Sequence, residues 1–182
     1  MRRFSLLLAA CLSFAAVPSE AVILRGRTFF DRPPRLVKMV TFFQIVNQYS
    51  PEYYLVLNLL PDSGEPLGSV TLQQTEGVDR FFQFRLDATR AYVGEPRNFG
   101  KEIPVAETTF DNSQRLLSVR FAQPVAPGQQ ITIVVRPQLN PDTAGTYLWG
   151  ITAYPAGEQP AGQFLGFGRI NIYDSSTYRT SR

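Results

Sequence analysis

Apolar positions fall first into one nearly unbroken run and then into short alternating segments. Phe4–Val17 is apolar except for Ser5, Cys11 and Ser13. Beyond it the period is two residues, the spacing of a strand with one buried face. Leu36–Phe43, opened by Pro33-Pro34, reads as a strand. Tyr53–Leu60 is apolar on both alternating faces, which marks a strand covered on both sides. Pro61-Asp62-Ser63-Gly64 closes it with turn chemistry. Val70 and Leu72 alternate with Thr71 and Gln73, Phe82, Phe84 and Leu86 with Gln83 and Arg85, and Leu117, Val119 and Phe121 with Ser118 and Arg120. Ala91–Val93 is a shorter candidate. Gly94–Pro104 has two prolines, two glycines and no apolar period, so the longest loop is expected there. Pro127-Gly128 predicts a type II turn into Gln130–Arg136, where Ile131, Ile133 and Val135 share a face. Asn140–Gly145 reads as a turn and Gly157–Gly162 as a loop. Thr146–Tyr154 and Phe164–Tyr173 are the last strands, with Ile170 and Ile172 inward.

No window after the first run holds a helical period. About eight short strands with proline in their connections predict an all-β chain, an antiparallel β-sandwich of immunoglobulin-like or similar type. A small closed barrel is the alternative.

The first run has the anatomy of an export signal. Arg2 and Arg3 precede the apolar stretch, Pro18 ends it, and Ser19 and Ala21 are the small residues a signal peptidase requires. Cleavage is expected after Ala21. The stretch is short for a membrane span, which needs about 20 apolar residues. Leu8-Ala9-Ala10-Cys11 also resembles a lipobox, with Cys11 as the lipidated residue. The apolar residues that follow Cys11, where a lipoprotein turns polar, speak against it. The expected organisation is a signal at 1–21, a basic extended arm at 22–35, one sandwich domain at 36–173 and a polar tail at 174–182.

Composition then narrows the chemistry. The chain has no histidine, and its one cysteine, Cys11, lies in the leader. Trimming leaves 161 residues with 21 aromatic side chains, enough for a core without disulfide or metal. Histidine-based triads, thiol nucleophiles and iron–sulfur or blue-copper sites are excluded, and a conventional zinc site with them. Gly166-Phe167-Gly168 is followed by Arg169-Ile170-Asn171, so no dinucleotide fingerprint forms. No cofactor or metal is expected. Asp79, Asp87 and Asp111 stand at strand ends or turns, where aspartate caps backbone amides. Asp62, Asp111 and Asp142 lack the spacing of a calcium loop.

Net charge is +3, or +2 once Arg2, Arg3 and Glu20 leave. The excess is local: Arg25, Arg27, Arg32, Arg35 and Lys38 face only Asp31. These arginines are candidates for contact with an anionic surface, or they belong to a solvated, partly mobile arm. Nucleic acid is not an expected partner.

One region invites a ligand. On a strand, Tyr147 and Trp149 share a face, and Leu148, Gly150 and Tyr154 share the other. With Leu148 and Tyr154 inward, Tyr147 and Trp149 form an outward platform for sugar rings or a partner protein. With the faces reversed, Trp149 is a core residue, and Gly150, Gly166 and Gly168 make room beside a large ring.

Several strings carry a wider likeness: Phe29-Phe30-Asp31-Arg32-Pro33-Pro34-Arg35-Leu36-Val37, Gly64-Glu65-Pro66-Leu67, Pro124-Val125-Ala126-Pro127-Gly128, Val135-Arg136-Pro137-Gln138-Leu139-Asn140-Pro141, the run Gly145–Gly157, and Gly162-Gln163-Phe164-Leu165-Gly166-Phe167-Gly168-Arg169. In order and spacing they resemble a cyanobacterial family of small exported proteins known only as a domain of unknown function. The resemblance implies a periplasmic address, or a thylakoid lumen, and brings no catalytic residue with it. The expected function is an exported, non-catalytic accessory or binding module of the cell envelope, with an envelope protein or polysaccharide as partner. The alternatives are a carboxylate-dependent hydrolase of envelope polysaccharide and a carrier of an apolar small molecule between the sheets.

Overall fold

A computed structural model describes residues 22–24, 26–80 and 82–175. The expected signal and its cleavage point after Ala21, Cys11, Arg25 and most of the polar tail lie outside the described residues. Among those described, the chain forms twelve strands: β1 Val22–Leu24, β2 Arg27–Phe29, β3 Arg35–Thr41, β4 Tyr53–Asn58, β5 Leu67–Glu76, β6 Arg90–Glu95, β7 Asn98–Ile103, β8 Val105–Asp111, β9 Leu116–Val125, β10 Gln130–Val135, β11 Gly145–Pro155 and β12 Gln163–Ile172. β1 and β2 pair with each other. The other ten make two five-stranded antiparallel sheets, ordered β3-β4-β10-β6-β7 and β12-β11-β5-β9-β8. The fold is therefore the expected all-β sandwich, and no barrel closes.

The period-two pattern dictates what lies between the sheets. Tyr53, Leu55 and Leu57 of β4 and Ile131, Ile133 and Val135 of β10 meet Leu72 of β5, Val119 of β9 and Tyr147, Trp149 and Ile151 of β11. Each large apolar side chain so buried contributes about 1.5–3 kcal/mol. This packing fills the interior that an apolar carrier would need empty. Ile170 and Ile172 point inward as expected.

Three expectations fail locally. Phe82–Leu86 is not a strand. Phe84 makes a single bridge to Pro137, whose nitrogen has no hydrogen to extend a ladder, and the chain turns at once into a 3-10 turn at Leu86–Ala88. Phe82 is nevertheless buried and plugs the core, edge-on to Trp149 at 5.1 Å and to Tyr147 at 5.9 Å. The loop expected at Gly94–Pro104 is instead the hairpin of β6 and β7, which turns through Pro96-Arg97 with Arg97 at φ 72°. β8 has no counterpart among the expected strands. β7 and β8 are edge strands: β7 is exposed at every position but Ile103, and β8 sends only Val105 and Phe110 against the core, so neither carries the full alternation by which strands are recognised.

The arm is also not loose from Arg27 onward. The Thr28 amide donates to the Gln159 carbonyl and the Ala161 amide donates to Thr28. The Phe30 amide donates to the Gln163 side chain at 2.9 Å, and the Phe30 ring enters the core. The chain here is docked by backbone bonds and one aromatic anchor, which a solvated arm lacks.

Candidate binding surface

Tyr147 and Trp149 do not form an outward platform: each is 1% exposed. They face the opposite sheet because Ile151 and Ala153, on the same side of β11, complete the inward stripe. The Tyr147 hydroxyl donates to the Thr143 carbonyl at 2.8 Å. Burial pushes that phenol, and that of Tyr53, above its ordinary range.

The outward aromatic pair lies on the neighbouring strand. Phe164 and Phe167 of β12 are 57% and 58% exposed, with ring centroids 5.1 Å apart. Residues three apart on a regular strand point to opposite faces. Here Thr152 pairs with Phe164 while Ile151 pairs with Gly166, so Leu165 is an extra residue in β12. This bulge turns both rings to one face. Gly166 sits in it at φ 126°, a conformation that a side chain resists. Gly150 lies opposite Phe167, and a Cβ there would stand 3.4 Å from the Phe164 ring and 3.7 Å from the Phe167 ring. Of the three strand glycines, only Gly150 makes room beside large rings, and those rings are outside the core; Gly168 instead lies against Met39 and Gly166 near Leu36. The signal in the sequence was the Phe-Leu-Gly-Phe string, in which a bulge glycine separates the phenylalanines.

Register extends this pair into a surface. Phe164, Thr152, Thr71, Ser118 and Thr109 form one continuous cross-strand row through β12, β11, β5, β9 and β8. Beside it runs Tyr154, Ser69, Arg120 and Glu107, with Arg120 and Glu107 paired at 3.0 Å. A shallow groove of about 230 Å³ lies over the β5, β9 and β8 part of the two rows, with Tyr154 at its edge.

The outer face of the first sheet is closed. Val56, Thr132 and Val134 are buried although they point away from the core. The β6–β7 tip lies over them. Thr132 donates its hydroxyl to the Gly94 carbonyl at 2.6 Å, Glu95 accepts from Lys38 and Gln130, and Arg97 stacks on Phe42 at 4.0 Å. Phe42, Tyr54, Tyr92 and Phe99 form a ring cluster beside this seal, in which Tyr54 is buried while Phe42 and Phe99 stay 47% and 40% exposed. Burial, and the Glu52 carboxylate to which Tyr54 donates, push that phenol up to about 12.

Two of the arm's arginines lie at the Phe164 end. Arg32 and Arg35 line a cleft of about 500 Å³ with Leu36, Leu60 and Phe164. Arg32 pairs with Asp62, holding that carboxyl below its usual range. Arg27 sits 5.9 Å from the Phe29 ring.

Among the acids, Asp111 behaves as a cap. Its Oδ1 accepts from the amide and hydroxyl of Ser113 and from the Gln114 amide, which lower its pKa. Asp79 and Asp142 line one cavity of about 300 Å³ with Asn47, Gln83 and Gln138. Among the described residues no group of three acids could hold a metal, and no helix is long and apolar enough to cross a membrane.

No curated protein matches the chain. Among solved structures, it is similar to the collagen adhesin CNA from S. aureus, at 11% identity and TM-score 0.40 over 74% of this chain and 48% of that one, so it spans about half that protein's length. It is similar to ACE19, the collagen binding subdomain of the Enterococcus faecalis surface protein ACE, at 11% identity and TM-score 0.45 over 78% and 98% of the two chains. It is also similar to BslA, a bacterial hydrophobin, at 14% identity and TM-score 0.42 over 78% and 99%. Residues 27–172 match the family described as a protein of unknown function, DUF2808, and the chain belongs to that family.

Proposed function

We propose that the protein is an exported, non-catalytic binding module of the cell envelope, acting in a cyanobacterial periplasm or thylakoid lumen. The leader-like Phe4–Val17 run supports export. One observation carries the binding role: a bulge and two glycines hold Phe164 and Phe167 together in solvent. Exposed aromatic pairs cost solubility and mark interaction surfaces. Arg27, Arg32 and Arg35 serve as a basic flank to this surface, where an anionic headgroup or acidic partner settles.

The test is cross-linking in intact cells. A photoreactive residue replaces Phe167 on the open face or Lys101 on the first sheet. Capture of an envelope component from the Phe167 position alone is expected. Equal capture from both positions, or none from Phe167, would sink the reading. A hydrolase is the second reading, because Asp79 and Asp142 share a cavity. Paired carboxylates are the minimum for glycosidic cleavage. Sugar release that Asp79→Asn and Asp142→Asn each abolish would put that reading first.

A further inference from the structure

The row that begins at Phe164 continues as side-chain hydroxyls, and this narrows the partner. Thr152, Thr71, Ser118 and Thr109 cross the remaining four strands in register. At about 4.8 Å per strand the row spans about 19 Å. Three of the four are half-buried and Thr109 is exposed. None of their hydroxyls bonds another protein group among the described residues, nor does that of Tyr154. Each therefore keeps both a donor and an acceptor for an outside molecule. The charges alongside, Arg120 and Glu107, neutralise each other.

A protein partner calls for an apolar centre with charge depleted and aromatic anchors in pockets. This surface has the reverse layout: the aromatics stand at the rim, Phe164 and Phe167 at one end and Tyr154 alongside, and hydroxyls hold the middle. An acidic polymer calls for unpaired cations along its length; the row offers none between Phe164 and Thr109, and the arm arginines Arg32 and Arg35 lie only at its Phe164 end, Arg32 already paired with Asp62. A neutral glycan matches both parts. The C–H faces of its rings lie against aromatic faces, and its hydroxyls exchange hydrogen bonds with a row that can both give and accept.

We propose that the outer face of the β12-β11-β5-β9-β8 sheet binds a neutral polysaccharide chain, laid across the strands from Phe164 and Phe167 toward Thr109, with its far part in the shallow groove between Tyr154 and Thr109. The proposal rests on the binding-module reading and specifies its partner.

Affinity electrophoresis of the full mature chain tests it, in native gels containing a neutral β-glucan, xylan or galactomannan, with polygalacturonate as the acidic comparison. Retardation by at least one neutral glycan is expected, and it should persist in high salt because no net charge carries it. Phe164→Ala/Phe167→Ala should weaken binding about tenfold or more. Thr71→Val/Ser118→Ala, which removes two hydroxyls and little volume, should weaken it as well, and it keeps the test decisive if the double phenylalanine variant fails to fold. Lys101→Ala, on the other sheet, should change nothing. Retardation by polygalacturonate alone, by none of the neutral glycans, or unchanged in both variants would overturn the proposal. If the Phe167 photoprobe then captures an envelope protein, the glycan falls and the binding module stands. If it captures nothing, both fall.

Discussion

On the outer face of the first sheet, Tyr54, Val56, Thr132 and Val134 are buried beneath the β6–β7 tip; on the outer face of the second, Thr152, Thr71 and Ser118 are only half-buried, and Thr71 and Ser118 line a shallow groove. Both rows sit in the middle of five-stranded sheets, yet one is apolar and closed and the other is hydroxyl-lined and open. The difference lies in what each sheet borrows. The first spends a hairpin, an ion pair and a cation–π contact on sealing itself. The second spends a bulge on turning two phenylalanines toward water. The first face exposes rings only where its hairpin seats, at Phe42 and Phe99, and seals its centre; the second leaves its centre open beside the Phe164 and Phe167 pair.

The comparison breaks most directly if the same substitution is made at matched central positions. Val134→Asp places a carboxylate beneath the hairpin with no partner, which should cost about 3 kcal/mol or more. Thr71→Asp on the open face should cost about 1 kcal/mol or less, since water still reaches it. Urea denaturation of both variants reads the gap. Equal losses would mean that the second face is also covered, and the presenting role would lose its basis.

The hydrophobic pattern made most of the sandwich legible. Tyr53–Leu60, whose strand runs over Tyr53–Asn58, announced its burial on both sides, although the reason for it, a hairpin lying over the outer face, was hidden in a segment that looked like a loop. Asn98–Ile103 has no alternation because an edge strand buries little, so pattern reading fails where the partner is missing. The aromatic site was misplaced by one strand for a related reason. Periodicity cannot assign faces without a reference, and the inward choice for Trp149 depends on Ile151 and Ala153 continuing its stripe. Phe164 and Phe167 were hidden by their spacing of three, which reads as opposite faces until a bulge is known. The hydroxyl row was present in the sequence as scattered Ser and Thr residues. Only register joins them, and register is a long-range property.

A milder intervention sharpens the covered side. Arg97→Ala removes the guanidinium stacked on Phe42 at 4.0 Å. The loss should be about 0.5–1 kcal/mol, the range of an exposed cation–π contact, with faster amide exchange confined to β6 and β7. The open face should not register the change. If β12 amides respond as well, the two faces are coupled and cannot be treated as separate devices.

The smallest effect is a pH dependence that belongs to the cover alone. Glu95 accepts from Lys38 at 2.7 Å and from Gln130 at 2.9 Å. The Lys38 bond first, and then the Gln130 bond, hold its carboxyl below the usual glutamate range. A carboxyl depressed in the folded state stabilises fully above its ordinary pKa, and that contribution disappears as pH falls through the depressed value. Glu95 is solvent-exposed, so screening keeps the effect below that of Arg97→Ala. Glu95→Gln should therefore lower the urea midpoint slightly at neutral pH and not at all once the wild-type carboxyl is protonated. A difference that persists unchanged into strong acid would show that shape, and not charge, seats the hairpin on its sheet.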